Sequence, residues 1–524
     1  MSDSIAESRP HPRELLTAGL VLFALLALTA WARPLMLPDE GRYAGVAWEM
    51  LRSGDWATPT LDGMPFFHKP PLFYWITAAA MSVFGVGEWS ARAAPLAGAW
   101  LAGFGMFAFV WRWAGRRQAR LVAMVLLAQP LFYIGGQFAN LDMLVAGCIT
   151  ATILLAAHSV LCREAGLHGR LALVAAYAFA ALGVLSKGLI GMVLPGMVIV
   201  VWMVLRGRMR GLLGMLSLPG LAAFLAIAAP WFVAMQMRFP EFFDYFFLEQ
   251  HFRRFTGTQF NNAQPWWFYP ALLLLFHSLW LPWIVRTLMP SRLATLRADS
   301  IPLLMGVWAF LIVGFFSLPH SKLVGYILPA LAPLAYLLCE AFANAGQSPR
   351  KTMVHWWYGA SIVAALMSWG AIAYLSLNPD NSNRALAQVL RSEHAAGEPV
   401  FMLERYHYDV ALYARLLQPP VVVDAWNDPG IQRTDNWRKE LADASRFAPE
   451  AAKNILLLPE RLPSALCLAP VSWVMGPPGR ADSLPFLAHA KVVYRAKEVV
   501  LWRVERSQAQ AVNSLRCEGM SNAG

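Results

Sequence analysis

The chain has 524 residues, of which 57% are hydrophobic and only 14% are charged. Because a soluble domain carries roughly a quarter charged residues, this composition excludes an ordinary soluble protein and indicates a membrane protein. The formal net charge of +11 would suit nucleic-acid binding, but the basic residues recur between apolar runs instead of forming one patch. We therefore expect no nucleic-acid partner.

Apolar runs recur along most of the chain, and a helix of roughly twenty apolar residues crosses a hydrocarbon core about 30 Å thick. We predict a polytopic α-helical membrane protein with about eleven to thirteen spans. The runs cover residues 15–32, 92–111, 121–137, 143–161, 171–186, 189–205, 212–236, 266–288, 301–317, 323–340 and 354–377.

Basic residues fall on every second connection between these runs. The positive-inside rule then places the N-terminus in the cytoplasm and, with an odd number of spans, the chain after about residue 378 outside the membrane. The connections concerned carry Arg9 and Arg13; Arg112, Arg116, Arg117 and Arg120; Arg163 and Arg170; Arg206, Arg208 and Arg210; Arg286, Arg292 and Arg297; Arg350 and Lys351.

The first external loop, about residues 33–91, contains two predicted helices. Proline and acids at residues 38–40 are typical of a helix start. Apolar residues follow at helical spacing, at Ala44, Ala47, Met50 and Leu51. The aromatic segment at residues 72–76 begins the second helix. We expect both helices to lie in the membrane interface and not to cross the bilayer.

A polar, turn-rich segment after residue 377 divides the chain into a transmembrane domain, 1–377, and an external domain, 378–524. Short strand-like segments beside a helical one predict a small α/β domain in the second part. The helix is predicted at 384–394 and the strands at 399–403, 420–424, 454–458 and 471–475, with a hairpin at 491–494 and 499–504. Cys467 and Cys517 can pair here or remain two thiols.

Charged residues are scarce on the external side, and a charge near the hydrocarbon boundary is costly unless it is paired or faces water. The set comprises Asp39, Glu40, Arg42, Lys69, Asp142, Lys187, Arg253, Arg254 and Lys322. Its cations oppose the positive-inside bias and need an anion, which a lipid phosphate would supply. Asp39 and Asp142 would repel that phosphate, so we expect them to accept a proton from an incoming nucleophile or to orient it.

These residues lie in motifs that keep a fixed order through the membrane part. The motifs are 38–44 (PDEGRYA), 54–56 (GDW), 68–75 (HKPPLFYW), 140–142 (NLD), 186–188 (SKG), 251–255 (HFRRF), 321–322 (SK) and 326–329 (YILP). In this set and order the chain resembles the bacterial aminoarabinose transferases of lipid A, which belong with the protein O-mannosyltransferases among the GT-C glycosyltransferases. The resemblance covers most of the membrane part, whereas the external domain carries no recognised motif.

The resemblance implies a metal-independent, inverting transfer, without a cofactor, of aminoarabinose or a related sugar from undecaprenyl phosphate to lipid A or another glycolipid. It implies that Asp39 is the catalytic carboxylate and Asp142 a second essential acid. The residues expected to bind the donor phosphate or to shape its pocket are Lys69, Lys187, Arg253, Arg254, Tyr326, Lys322, Arg42 and Tyr43. His68 departs from the family, in which we expect a glutamate there, so the sugar stays open.

Three other functions are compatible with parts of the sequence. A protein O-mannosyltransferase-like enzyme would differ in its acceptor. A lipid or sugar transporter would favour related halves and broken helices near mid-membrane, neither of which the sequence indicates. A structural or assembly subunit leaves Asp39, Lys69 and Lys187 unexplained. We expect a monomeric enzyme.

Each candidate residue also has a structural interpretation. Asp142 and Lys187 can form a structural pair at helix ends. His68 and His251 lack a clear third ligand, so the sequence predicts no metal site. In the external domain, the acids and residues 406–408 are expected to be ordinary surface or core.

Overall fold

The computed structural model describes residues 11–253, 262–289, 299–344, 351–511, 514–515 and 517. Long apolar helices occupy the chain as far as Leu377, and a six-stranded sheet with short helices follows. The predicted fold class, a polytopic helical membrane protein with a small α/β domain, is confirmed.

The helices of the membrane part are α1 (Pro12–Ala27), α2 (Asp39–Ser53), α3 (Leu72–Phe84), α4 (Glu88–Ala91), α5 (Ala93–Ala114), α6 (Arg116–Ala128), α7 (Pro130–Gly135), α8 (Leu141–Glu164), α9 (Arg170–Lys187), α10 (Ile190–Leu205), α11 (Met209–Leu213), α12 (Leu218–Arg238), α13 (Phe268–Phe276), α14 (Leu281–Thr287), α15 (Ser300–Ser317), α16 (Leu331–Ala343) and α17 (Lys351–Leu377). A π-helix covers Asp244–Arg253, and 3-10 helices cover Ser278–Trp280 and Val324–Ala330. Two short antiparallel strands, β1 (Thr60–Leu61) and β2 (Met64–Pro65), lie between α2 and α3.

Seven helical segments in the described ranges are long and apolar enough to cross a membrane: α5, α8, α9, α12, α15, α17 and Val324–Ala343. The pair α13 and α14, bent by 69°, makes an eighth if it is one span. The three remaining predicted runs coincide with α1, α6 and α10, of 16, 13 and 16 residues. All eleven predicted runs therefore fall on helices, although length and composition select fewer of them as spans.

A proline divides one predicted span. Pro130 lacks an N–H and restricts the residue before it to an extended conformation. Gln129 accordingly has φ −72° and ψ 121°, and its side chain accepts a hydrogen bond of 2.6 Å from the backbone N–H of Phe132. The predicted run 121–137 is therefore two helices, α6 and α7.

The two helices predicted in the first external loop are present as α2 and α3, of 15 and 13 residues. Ala44, Ala47 and Met50, three of the four residues predicted on one face of α2, are fully buried. Gly54 ends α2 in the left-handed region at φ 73°, where a glycine has no steric cost, and its N–H bonds the carbonyl of Met50. These features confirm the helices, and their place in the membrane interface stays a prediction.

The C-terminal part is a mixed sheet flanked by short helices. The strands are β3 (Val400–Leu403), β4 (Val421–Val423), β5 (Leu456–Leu457), β6 (Val471–Gly476), β7 (Lys491–Arg495) and β8 (Val500–Glu505), in the order β5-β4-β3-β6-β8-β7. The helices are α18 (Arg384–Glu393), α19 (Val410–Ala414), α20 (Trp437–Ser445), α21 (Pro449–Ile455), α22 (Leu462–Leu466), α23 (Arg480–Ser483), α24 (Pro485–Ala488) and α25 (Arg506–Ala511), with 3-10 turns at Pro429–Arg433 and Pro459–Arg461. β5-β4-β3-β6 are parallel, and β8 is antiparallel to both β6 and β7.

The predicted strands and hairpin are present, with one correction. The run predicted as a strand at 454–458 begins as the last turn of α21, so that β5 has only two residues. Cys467 and Cys517 form a disulfide with a Cα–Cα distance of 5.7 Å, which settles the open pairing. We propose that the boundary between the two domains lies after residue 377, where α17 ends.

The C-terminal part packs directly on α2 and α3. Their apolar faces share one hydrophobic core with residues of the sheet and of α19. Two glycines of α2 permit this approach: a Cβ on Gly41 would lie 3.2 Å from Asp409, and one on Gly45 would lie 3.2 Å from the carbonyl oxygen of Tyr408. The backbone of α2 therefore lies against the loop between β3 and α19.

Candidate active site

A cavity of about 1100 Å³ lies between the membrane helices and the C-terminal part. Seven of the ten site residues predicted from the sequence line it. They are Asp39, Arg42, Tyr43, Lys69, Asp142, Lys187 and Tyr326. Residues more than 280 positions apart in the chain, such as Asp39 and Tyr326, therefore share one enclosed space.

Asp39 lies in the first turn of α2, where the helix dipole favours a carboxylate. Its side chain is 34% exposed, so it remains accessible from the cavity. Its Oδ1 accepts a hydrogen bond of 2.5 Å from Nη2 of Arg42, one turn further along the helix. Asp39 is thus held in place and still open to a ligand.

Arg42 lies between two carboxylates from different parts of the chain. Besides Asp39, it forms an ion pair with Glu440 of α20, whose other oxygen accepts a hydrogen bond of 2.5 Å from the Tyr408 hydroxyl. Its guanidinium also stacks 4.8 Å from the ring centroid of Tyr43. Burial alone would lower the pKa of Arg42, but Glu440, Tyr43 and Asp39 raise it well above its usual value. Arg42 is therefore a fixed positive charge that joins α2 to the C-terminal part.

Asp142 and Lys187 form an ion pair across the cavity wall. Asp142 is at the start of α8, where the Asn140 side chain caps the helix by accepting from the Asp142 N–H at 3.0 Å. Lys187 ends α9, and its Nζ lies 4.2 Å from the ring centroid of Tyr326. A Cβ on Gly325 would collide with the Asp142 carboxylate, so this approach requires glycine.

Glu40, the neighbour of Asp39, points away from the cavity and is fully buried. Its carboxylate pairs with Arg33 and with Arg92 (2.9 Å from Nε), and it also accepts from the backbone N–H of Ala139 at 2.8 Å. Burial alone would raise the pKa of Glu40, but Arg92 and Arg33 lower it to about 2. The two adjacent acids therefore have different tasks, and Glu40 is structural.

His68 lines the cavity and is stacked on Phe66 with a centroid distance of 4.4 Å. Its Nε2 lies 3.8 Å from the buried carboxylate of Asp443, which also pairs with Lys439 at 2.9 Å. Burial alone would raise the pKa of Asp443, but His68 and Lys439 lower it. The carboxylate expected at position 68 is absent, and a carboxylate from α20 lies behind the histidine instead.

Three predicted phosphate ligands are not among the described residues that line the cavity. Lys322 is buried outside the cavity wall, and its Nζ donates to the carbonyl oxygens of Gln264, at 2.8 Å, and Pro319. Arg253 is the last residue of the π-helix, with its side chain outside the description, and Arg254 lies outside the described residues altogether. The choice between Arg253 and Arg254 stays open.

The described part of the chain contains no group of three or more His, Cys, Asp or Glu side chains that could hold a metal ion. Within the cavity wall, Arg42 pairs instead with Asp39 and Glu440, and Lys187 pairs with Asp142. Such an arrangement can bind a zwitterionic or phosphorylated ligand by exchanging a carboxylate partner for a phosphate.

The sequence did not predict the wall of the cavity that the C-terminal part supplies, which includes Glu440 and Tyr408. We expected these residues to be ordinary surface or core. They follow no motif, and they reach the site only because α20 and the β3–α19 loop fold over α2. The one sequence signal was the acidic residue itself, which many exposed helices carry.

A family model described as dolichyl-phosphate-mannose-protein mannosyltransferase matches residues 68–233. The undecaprenyl phosphate-alpha-4-amino-4-deoxy-L-arabinose arabinosyl transferase of Pseudomonas aeruginosa is 30% identical over 467 residues, covering 87% of this chain and 77% of that protein. The crystal structure of ArnT from Cupriavidus metallidurans bound to undecaprenyl phosphate has a TM-score of 0.77 at 23% identity, covering 94% of this chain and 98% of that one. Its apo form has a TM-score of 0.75 at 23% identity, covering 93% and 98%. These structures show a shared fold.

Proposed function

Because the chain belongs to the family of undecaprenyl phosphate-aminoarabinose arabinosyl transferases, we propose that it transfers aminoarabinose or a related sugar from undecaprenyl phosphate to a glycolipid. The chain is a multi-pass membrane glycosyltransferase of this type. The observation that carries the proposal is the cavity in which Asp39 shares one space with Lys69 and Lys187. A carboxylate for the acceptor and cations for a phosphate are the two requirements of such a reaction.

Lys69 and Lys187 are the proposed ligands of the donor phosphate, with the Tyr326 hydroxyl as a further donor. Lys187 is held by Asp142 and by the ring of Tyr326, so its ammonium group is positioned before a ligand arrives. The donor is a phosphodiester with one negative charge, which two ammonium groups in a partly closed cavity stabilise more strongly than they would in water. They also stabilise the charge that develops on the leaving phosphate.

Asp39 is the proposed catalytic carboxylate. The acceptor oxygen attacks the anomeric carbon of the sugar from the face opposite the phosphate, a C–O bond forms, and the bond from the anomeric carbon to the phosphate oxygen breaks. Undecaprenyl phosphate leaves with the bonding electron pair, and the configuration inverts. Where the acceptor is a hydroxyl, its proton passes to Asp39; where it is already an anion, Arg42 orients it and Asp39 holds Arg42 in place.

The proposed setting is the inner membrane of a bacterium, with the N-terminus in the cytoplasm and the C-terminal domain in the periplasm. The charges support it, because arginines flank α1, α5 and α6 at the end away from the cavity. Lipid A, the favoured acceptor, and the carrier lipid would then both reach the cavity from the outer side. The chain is proposed to act as a monomer.

Mass spectrometry of lipid A and of envelope proteins, from cells with and without the gene, tests the function. We expect a sugar mass on lipid A only when the gene is present, and no sugar when it carries Asp39→Asn. The match to the mannosyltransferase model favours protein hydroxyls as a second class of acceptor. If the sugar is found on proteins alone, the acceptor is a protein hydroxyl and not lipid A. Identical lipid and protein masses in all three strains would refute the proposal.

A further inference from the structure

A second groove lies at the end of the membrane part away from the active-site cavity. It has a volume of about 740 Å³ and runs between α1, α5, α6 and α17. Ala32 and Pro34, beyond the end of α1, line the active-site cavity, whereas Arg13, in the first turn of α1, lines the groove. The groove therefore begins at the end of α1 that is away from the active-site cavity, and the two spaces share no lining residue.

The groove is as long as one leaflet of a bilayer. On α1 it is lined from Arg13 to Leu25 and on α6 from Arg116 to Ala128. Each stretch has thirteen residues, and the twelve steps between them, at about 1.5 Å each, make roughly 18 Å of helix. One leaflet of a hydrocarbon core about 30 Å thick measures roughly 15 Å.

One end of the groove is positively charged. Arg13, Arg116 and Arg120 line it together with Glu14, which forms an ion pair of 2.6 Å with Arg116. Among the described residues, no carboxylate pairs with Arg13 or Arg120. As far as the described residues show, these two guanidinium groups at the entrance can therefore accept an anionic ligand.

Three hydroxyl groups in the rest of the wall already donate hydrogen bonds within the chain. The Thr17 hydroxyl donates to the Arg13 carbonyl at 2.9 Å, and the Ser361 hydroxyl donates to the Trp357 carbonyl at 3.0 Å. Tyr133, at the far end, donates to the Leu25 carbonyl at 3.1 Å. Apolar side chains make up the remaining surface, among them Val21, Phe107, Trp111, Met124, Leu127 and Ile362.

We infer that this groove binds an anionic glycerophospholipid, with the phosphate on Arg13 and Arg120 and one acyl chain along α1 and α6. Basic pockets between membrane helices on the cytoplasmic side are suited to anionic headgroups. The length selects a lipid of one leaflet over a polyprenyl carrier, whose chain is longer than the groove. This site is independent of the proposed sugar transfer.

Native mass spectrometry of the full-length, delipidated protein with phosphatidylglycerol or phosphatidylethanolamine of identical chains tests the inference. We expect preferential retention of phosphatidylglycerol, and a loss of roughly fivefold in affinity for each arginine removed, hence about 25-fold for Arg13→Gln with Arg120→Gln. Val21→Trp, which fills the groove from α1, should remove the same bound lipid. Arg210→Gln, an arginine in another connection and outside the groove, is the matched control.

Three results would overturn the inference. Equal retention of the two phospholipids would show that charge does not select the ligand. Unchanged binding to the double arginine variant and to Val21→Trp would place the lipid elsewhere, provided that both variants melt like the wild type. Tighter binding of undecaprenyl phosphate, lost in Val21→Trp, would assign the groove to the carrier lipid.

Discussion

Asp39 and Glu440 contact the same guanidinium group, that of Arg42, from two sides of the cavity. Asp39→Asn keeps the shape of the side chain but removes its negative charge and its capacity to take up a proton. We expect transfer to fall by about 10²–10⁴-fold, the usual contribution of a general base. The measurement is the turnover of purified protein with a polyprenyl-phosphate sugar. Wild-type turnover by a folded Asp39→Asn protein would remove Asp39 from the mechanism.

Glu440 is expected to act through Arg42 as a positioning residue. Glu440→Gln should let Arg42 turn fully towards Asp39 and lower kcat by roughly tenfold to 100-fold, since a hydrogen bond to a charged group contributes about 1.5–3 kcal/mol. Glu440→Asp should restore part of kcat, which a purely structural loss would not do. Glu450→Gln, which breaks an exposed pair with Lys453, is the matched control. Equal kcat for both glutamine variants would contradict this role.

Among the individual residues of the cavity, sequence motifs predicted those that belong to a motif and missed those that do not. Four charged residues lie next to apolar runs, where desolvation makes an unpaired charge costly and a functional role is therefore expected: Asp39, Lys69, Asp142 and Lys187. Lys322 met the same criterion, yet backbone carbonyls hold it outside the cavity wall. Carbonyls of this kind are present in every sequence, so no residue pattern could have separated Lys322 from the others.

Among the elements, the 3-10 helix Val324–Ala330 approaches the start of α8 so closely that position 325 admits only glycine. Gly325→Ala should push the Asp142 carboxylate away from Lys187 and reduce transfer by at least about tenfold, because a 1 Å displacement in a site can cost about 10² in rate. Gly306→Ala, in α15, is the control, since its Cβ would meet nothing within 4 Å. Similar activity of the two variants would show that the ion pair is not needed.

Glu40 joins α2 to the loop before it, to Arg92 at the start of α5 and to the backbone before α8. Glu40→Gln leaves Arg33 and Arg92 buried without a counter-charge, so we expect a loss of about 3–5 kcal/mol in the free energy of unfolding. Because the pKa of Glu40 falls from 4.5 to about 2 in the folded protein, its contribution is complete above pH 4.5 and is lost as the pH falls towards 2.

Thermal unfolding in detergent at several pH values checks this prediction. Between about pH 4.5 and 2 the melting temperature of the wild type should fall more steeply than that of Glu40→Gln, because only the wild type loses the contribution of the Glu40 carboxylate. Glu460→Gln, at an exposed position of the C-terminal part, should melt like the wild type. A Glu40→Gln protein with wild-type stability at neutral pH would contradict the structural assignment.

Helices were predicted well because hydropathy and periodicity report directly on burial in lipid or protein. All eleven apolar runs are helical, and α2 begins where proline and acids indicate. Hydropathy averages over a window, however, so it does not resolve the break at Pro130 or the bend of 69° between α13 and α14. The strand predicted at 454–458 failed for a related reason, since a short buried run has no period that separates a helix end from a strand.

For the whole molecule, the decisive feature is a cavity closed by two parts of the chain that no local pattern connects. The membrane part supplies Asp39, Lys69 and Lys187, and the C-terminal part supplies Glu440 and Tyr408. The sequence predicted both parts and one wall of the site. It could not predict their packing, which depends on the contact of α2 with the β3–α19 loop at Gly41 and Gly45.

The central claim is that the cations of this cavity hold the phosphate of the carrier lipid. The most direct measurement is the affinity of the purified, full-length protein for undecaprenyl phosphate, compared between wild type, Lys69→Met, Lys187→Met and the control Lys491→Met, whose exposed side chain lies outside the cavity. We predict that binding weakens by roughly tenfold to 100-fold in each of the first two variants and stays unchanged in the control. Equal affinity of all four folded proteins for the lipid would contradict the account.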